Sequence, residues 1–192
     1  MDGLSIEKKN IMTRDEALDL VKQHVSNKNL VKHMLAVEAV MGRLACLLEE
    51  DENEWRLAGL LHDLDYDKTV DNFEKHGLMA AEILKPYHIS ETVIQAIMSH
   101  PGHTPRKSKM DKALYAADPV TGLIVAAALM HPTKKIRNVD TAFIERRFRE
   151  KRFAAGANRD QIKSCETLDI TLAEFIDLSL RAMQSIDREL GL

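Results

Sequence analysis

Apolar residues recur every three to four positions along most of the chain, which is the period of a helix with one face against a core. Capping residues precede several of these segments; Thr13 and Glu16, for example, form a capping box ahead of the first. No segment alternates apolar and polar residues as a half-buried strand does. These signals predict helices over about residues 13–25, 27–49, 53–63, 76–85, 90–99, 111–130, 140–151, 158–165 and 171–190.

Helix-breaking residues separate these segments. The acidic turn at residues 65–71 is predicted to end the third helix, and the sequence SHPGHTP at residues 99–105 is predicted to form a loop. Pro119 interrupts the long apolar segment LYAADPVTGLIVAAALM. Because proline lacks a backbone N–H, it should kink that helix or start a new one directly after Asp118.

The length of 192 residues fits a single domain with a sizeable core. No shift in composition marks a domain boundary. We therefore predict an all-α helical bundle in one domain over residues 1–192, with a core at about 13–130 and a C-terminal helical extension at about 131–192.

Composition excludes several other classes of protein. Hydrophobic residues at 45% and charged residues at 30% suit a globular chain, and 8 Gly and 5 Pro are too few for collagen-like or linker-rich sequence. Cys46 and Cys165 have no partner spacing and are predicted to be buried thiols. The N-terminal MDGLSIEKKN has no signal-peptide core, and the longest uncharged stretch, residues 119–133, is shorter than the roughly 20 residues that span a bilayer. We expect a cytoplasmic protein without a membrane partner.

The net charge of −3 conceals an asymmetry, because residues 134–163 contain ten basic and four acidic residues. Such a segment can attract phosphates, although most charge runs are solvated faces. With only five Phe, three Tyr and one Trp in the chain, base-stacking side chains are few. Nucleic acid is therefore a less favoured partner than a small phosphate compound.

Several of the eight histidines interrupt apolar helix faces. His33 lies in the stripe of the second helix, the pair His62-Asp63 follows an apolar run, and Asp118 is in line with apolar residues of the long helix. Such groups are costly to bury unless they are paired or bind a metal. Ligands from several helices can converge on a cation. The alternative is separate core histidines, each bonded to a backbone carbonyl.

The order of these residues resembles that in the HD superfamily of metal-dependent phosphohydrolases, specifically its HDIG-type single-domain members. Over residues 13–130, the segments KHMLAVEAVMGRLA, LAGLLHDLDYDK, EKHGLMAAEIL, AIMSH and LYAADP each resemble a family segment that holds a ligand. The resemblance implies one metal held by His33, His62, Asp63 and Asp118. A second metal would add His76 and His100 around a bridging Asp63, and because both positions are filled, a dinuclear site is favoured.

The sequence departs from the family pattern after the His-Asp pair. The frequent HD-Ile-Gly-Lys segment is HDLDYDK here, so the lysine moves to Lys68, while Asp65 and Asp67 are expected to cap and solvate the turn. Besides Asp63, the catalytic candidates are His103 and Lys68, for leaving-group protonation or phosphate contact. His103 could equally be an exposed loop residue. Two further cations near the predicted mouth are Arg106 and Lys107, whereas His24, His88 and His131 have no family counterpart.

The resemblance implies hydrolysis of a nucleotide or another small phosphate ester by a metal-activated water. Imidazole and carboxylate ligands suit one or two divalent ions of Fe, Mn, Ni, Co or Zn, and suit Mg less because Mg prefers oxygen ligands. Two alternatives stay open. One is a di-iron oxygenase of the HD type, and the other is a non-catalytic regulatory or nucleic-acid-associated HD protein.

Overall fold

The computed structural model describes residues 12–192, so the N-terminal segment interpreted above as lacking a signal peptide lies outside the described residues. Within the described part, 70% of the chain is helical and no strand is formed, which confirms the predicted all-α fold. The α-helices are α1 (Arg14–His24), α2 (Lys28–Leu48), α3 (Glu52–Leu61), α4 (Tyr66–Thr69), α5 (Leu78–Leu84), α6 (Glu91–Ser99), α7 (Lys109–Met130), α8 (Thr141–Arg149), α9 (Arg159–Lys163), α10 (Leu172–Gln184) and α11 (Asp187–Leu190). Short 3₁₀ turns cover Phe73–Lys75, Ile136–Asn138 and Ser164–Leu168.

Side-chain caps explain where most helices begin. Thr13 accepts a hydrogen bond from the backbone N–H of Glu16, whose carboxylate in turn accepts from the N–H of Thr13, which completes the predicted capping box. Asn27 caps α2 and Ser90 caps α6, both as expected from the sequence. Thr171 forms another complete capping box at the start of α10.

Helices α2 and α7 form the centre of the structure. Helix α2 packs against α3, α7 and α10, while α7 also contacts α6, α8 and α9. Helix α3 approaches α2 closely at Gly59, where an added Cβ would lie 2.8 Å from the backbone nitrogen of Glu38. This contact brings the C-terminal end of α3 beside α2.

Helix α7 runs unbroken through Pro119, so the predicted start of a new helix after Asp118 is wrong. It begins earlier than predicted, at Lys109, because Ser108 and Asp111 form a capping box. Proline cannot donate to the carbonyl four residues before it, which is that of Tyr115. The side-chain Nε2 of Gln161 donates to this carbonyl at 2.9 Å and replaces the missing bond.

By length and composition alone, α7 would be able to cross a membrane, with a mean hydropathy of 1.6 over its most apolar window. In the structure 61% of that window is buried against other helices. A buried core helix of a soluble protein has the same composition. Among the described residues, α7 is therefore only weak evidence for a membrane span.

The C-terminal helices pack on the same core as the N-terminal ones. The buried side chains that they contribute include Ile144, Phe148, Ile162, Phe175 and Met183. The assignment of residues 1–192 to one domain stays a prediction. The predicted helix at 171–190 is divided into α10 and α11, and the one at 76–85 begins only at Leu78, since His76 follows a 3₁₀ turn.

Replacing Gly59 with alanine should lower the free energy of unfolding by about 1–3 kcal/mol, because the methyl group meets the backbone of α2. Chemical denaturation would measure the change. The matched control is Gly122→Ala in α7, where an added Cβ meets nothing within 4 Å and should stabilise by up to about 1 kcal/mol. Equal effects of the two substitutions would contradict the close approach at Gly59.

Candidate metal centre

Five separate segments bring the six predicted ligands together. His33 comes from α2, the pair His62-Asp63 from the end of α3, and Asp118 from the middle of α7. The other two ligands follow short elements: His76 ends the 3₁₀ turn Phe73–Lys75, and His100 caps the C-terminal end of α6. Residues 85 positions apart in the sequence therefore meet at one point.

The first group of donor atoms lies around Oδ2 of Asp63. The Nε2 atom of His33 is 3.2 Å from Nε2 of His62 and 3.2 Å from Oδ1 of Asp118. Oδ2 of Asp63 lies 3.5 Å from Nε2 of His33 and 3.4 Å from Nε2 of His62. The ligand atoms of His33, His62 and Asp118 all lie within 4.8 Å of one another, which is close enough for them to bind one ion.

The second group lies around the other oxygen of the same carboxylate. Nε2 of His76 is 3.0 Å from Nε2 of His100 and 3.3 Å from Oδ1 of Asp63. Nε2 of His100 is 3.7 Å from the same oxygen. Asp63 therefore presents one oxygen to each group, which is the arrangement expected of a carboxylate between two cations.

Every histidine of the cluster is held through its Nδ1 atom. The Nδ1–H groups of His62 and His100 donate to the carbonyls of Gly59 and Ile97, at 2.8 and 2.5 Å. That of His33 donates at 3.0 Å to the hydroxyl of Thr121, which itself donates to the carbonyl of Asp118. That of His76 donates at 2.9 Å to Asp65. Because Nδ1 of each ring is bonded outside the cluster, all four Nε2 atoms face into it.

This donor set fits divalent cations. Facing nitrogen lone pairs and carboxylate oxygens repel one another unless positive charge lies between them. Ligands about 2.1 Å from a common ion are separated by roughly 3.0–3.4 Å, depending on coordination number. Most separations in the two groups are 3.0–3.5 Å and match that spacing, while Nε2 of His100 lies 3.7 Å from Oδ1 of Asp63 and Nε2 of His62 lies 4.0 Å from Oδ1 of Asp118.

Burial and charge perturb the titration of these groups in opposite directions. Burial lowers the pKa of His62 to about 4, outweighing the attraction of Asp63, so this imidazole is neutral near pH 7. Burial also opposes charging of His76, but the carboxylates of Asp63 and Asp65 raise its pKa to about 9. Although burial acts in the opposite sense, neighbouring histidines hold the pKa of Asp63 well below its usual range. The site is strongly attractive to cations.

Asp65 has a role that the sequence interpretation missed. It was expected to cap and solvate the acidic turn, but its side chain is fully buried. Oδ1 accepts from Nδ1 of His76, and Oδ2 accepts from the backbone N–H groups of Gly77 and Ala80 at 2.8 and 2.9 Å. It therefore caps α5 and orients a predicted ligand. The sequence signal for this role is that Asp65 lies two residues after the predicted ligand Asp63.

The remaining candidates lie outside the cluster. Lys68 is exposed, with Nζ 3.1 Å from Nδ1 of His24, and Asp67 accepts from the backbone and hydroxyl of Ser26 rather than facing the cluster. His103 is also exposed, and its Nε2–H donates to the carbonyl of His76 at 2.8 Å. Neither Lys68 nor His103 lines the pocket described next.

An open pocket of about 680 Å³ gives access to the cluster. The cluster opens on one side, where the side chains of His33 and Asp118 are 24% and 30% exposed, while those of His62 and His76 are almost fully buried. Beyond the predicted ligands, the walls are formed by Asn27, Asn29, Leu30, Tyr66, Phe73, Pro101, Tyr115, Gly156 and Gln161. Arg106 stands next to the pocket, its guanidinium 3.8 Å from the ring centroid of Tyr115.

Comparison with known proteins agrees with this geometry. The HD domain family model matches residues 30–129, which include all six converging residues. The chain belongs to the HD domain family. This is a family of metal-dependent phosphohydrolases whose members bind divalent metal ions.

Similar proteins include several named Ribonuclease Y. The protein of that name from Oleidesulfovibrio alaskensis is 32% identical over 96 residues, which are 50% of this chain and 18% of the relative. The one from Clostridium perfringens is 26% identical over 169 residues, covering 85% of this chain and 32% of the relative. The chain thus spans less than a third of the length of either relative. No solved structure matches it.

Substitution of Asp65 with alanine should lower the affinity for Mn²⁺ about 10- to 100-fold, because His76 loses the partner that orients it. It should also cost about 1–3 kcal/mol of stability, since two buried N–H groups lose their acceptor. Metal titration followed by calorimetry measures the first effect. Asp67→Ala is the control, since this nearby carboxylate bonds Ser26 and no predicted ligand, and its loss should leave Mn²⁺ affinity unchanged.

Proposed function

We propose that this protein hydrolyses a phosphate ester of a nucleotide, using divalent metal ions held by its converging histidines and aspartates. The observation that carries the proposal is the position of Asp63, which presents one carboxylate oxygen to each of two donor groups. A phosphoryl group is the substrate that such a pair of sites suits, because it carries several oxygens that can interact with both.

Two sets of residues would hold the ions. His33, His62 and Asp118 with Oδ2 of Asp63 form the first set, and His76 and His100 with Oδ1 of Asp63 form the second. Divalent ions bound there would supply Lewis acidity toward the phosphoryl group and make water a stronger nucleophile near neutral pH.

The contribution of the protein is preorganisation. Bonds from Nδ1 to Gly59, Ile97, Thr121 and Asp65 hold the imidazoles in place before any substrate arrives, so little reorganisation accompanies the reaction. Three of these four acceptors belong to helices α3, α6 and α7, which are themselves packed in the core. Substrate reaches the open side beside His33 and Asp118.

Contacts to the substrate phosphate are proposed for Arg106. Its guanidinium does not line the pocket; it donates to the carbonyl of Ser99 at 3.0 Å and stacks on Tyr115, a wall residue, so it would have to turn toward the pocket to reach a phosphate. His103 and Lys68 stay predictions for leaving-group protonation or phosphate contact. Lys68 would have to leave His24, and His103 would have to act through Nδ1, because its Nε2 already donates to the backbone.

RNA is a second candidate substrate, and two observations favour it. The relatives described above are named Ribonuclease Y. In addition, the basic segment reaches the pocket: Gly156 lines its wall, and the chain at residues 147–157 is held by Arg159, whose guanidinium donates to backbone carbonyls along it. Three exposed cations, Arg149, Lys151 and Arg152, lie in this segment.

The proposed hydrolysis is tested by incubating Mn²⁺-loaded protein with nucleoside monophosphates, dinucleotides and short RNAs and measuring phosphate or product release. We expect metal-dependent turnover that Asp63→Ala lowers at least 1000-fold, since the carboxylate shared by both donor groups is lost. Asp67→Ala should retain wild-type turnover. Undiminished turnover in Asp63→Ala would rule out the site, and oxygen consumption with Fe²⁺ in place of hydrolysis would favour the oxygenase alternative.

The same panel separates the two substrate candidates. If RNA is the substrate, changing Arg149, Lys151 and Arg152 together to glutamine should raise KM for the RNA and reduce its dependence on salt concentration. Hydrolysis of nucleoside monophosphates should not respond to this triple substitution. A KM for RNA that is insensitive to both salt and substitution would instead favour the small nucleotide.

A further inference from the structure

One side of the pocket is aromatic although it borders a polar cluster. Tyr66 and Phe73 form this side next to His76, and Tyr115 lines the pocket as well. Phe73 is 56% exposed, so much of this large apolar side chain is accessible to a ligand in the pocket. The phosphate chemistry of the cluster makes no use of such a surface, so the aromatic side requires a separate explanation.

Phe73 is held close to the cluster by the local fold. It begins the 3₁₀ turn that ends at His76, and its ring centroid is 5.0 Å from that of the His76 imidazole. Tyr66 meets the same imidazole edge-on at 5.4 Å. Because Asp65 fixes His76, the two aromatic rings have a defined place beside the second donor group.

Tyr115 lies in the wall of the same pocket and is held in place by contacts to its ring and to its backbone carbonyl. Arg106 stacks on one face of its ring at 3.8 Å and is itself bonded to the carbonyl of Ser99. The backbone carbonyl of Tyr115 accepts from Gln161, which also lines the pocket. Tyr115 is therefore a rigid element of the wall.

Amide side chains complete the lining. Asn27, Asn29 and Gln161 stand in the pocket wall together with the three aromatic residues. Oδ1 of Asn27 already caps α2 and Nε2 of Gln161 already donates to Tyr115, but each amide has a second polar atom that can bond a ligand. A flat heterocycle that carries its own donors and acceptors can both contact the aromatic rings and form hydrogen bonds with the amides.

We propose that this aromatic side of the pocket binds the heterocyclic base of the substrate, with Phe73 stacking on the face of the base. The proposal rests on the proposed function, because the phosphate bound at the cluster places the base. Stacking on an aromatic side chain is sequence-tolerant, since every base has a π-face. The subsite therefore serves a free nucleotide and a nucleotide within RNA equally.

The test compares adenosine 5′-monophosphate with ribose 5-phosphate, which has the same phosphate and sugar but no base. Binding of each, as its hydrolysis-resistant phosphonate analogue, to the Mn²⁺-loaded protein is measured by calorimetric titration. Wild-type protein should bind the nucleotide at least 10-fold more tightly. Phe73→Ala should remove most of this difference by weakening only the nucleotide, and Phe73→Trp should retain it, because the indole also stacks.

Val70→Ala is the matched control, since Val70 is 57% exposed on the adjacent turn but does not line the pocket. It should leave both affinities unchanged. Equal binding of the two compounds to the wild type would overturn the base subsite, and so would a Phe73→Ala variant that weakens both equally. Neither result depends on turnover, whereas failure of the proposed function shows itself as absent hydrolysis with binding intact.

Discussion

The structure depends on how it accommodates two carboxylates and four imidazoles, most of them buried, at the point where its helices meet. Asp63 is the centre of this cluster, because each of its oxygens faces a different pair of histidines. Nitrogen and oxygen acceptors at such distances need positive charge between them. Divalent cations meet that need, and for this reason the fold and the chemistry of this protein are coupled.

The helical scaffold keeps these acceptors aimed at one another. The close approach of α2 and α3 at Gly59 brings His33 beside His62, and the carbonyl of the same glycine orients His62. On the other side, Asp65 holds His76 and also caps α5. Packing and ligand orientation thus share the same residues, so a change that loosens one also disturbs the other.

The C-terminal helices take part in the site as well as in the core. Gln161 lies in α9, which contacts α7. It bonds the Tyr115 carbonyl that Pro119 leaves without a partner, and it lines the pocket. Arg159 organises the chain at residues 147–157, which carries both Gly156 of the pocket wall and the exposed basic side chains. The part of the chain with no recognisable motif therefore shapes access to the cluster.

The sequence by itself determined the helical elements, since capping boxes such as that of Thr13 and the apolar periodicity act locally. It also indicated the six converging residues, because their order and flanking segments are retained along the chain. Only the tertiary structure decided the role of Asp65, the continuity of α7 through Pro119, and the outward positions of Lys68 and His103. Each of these depends on a partner distant in sequence, and a hydrogen bond across 11 or 46 residues leaves no periodic signal.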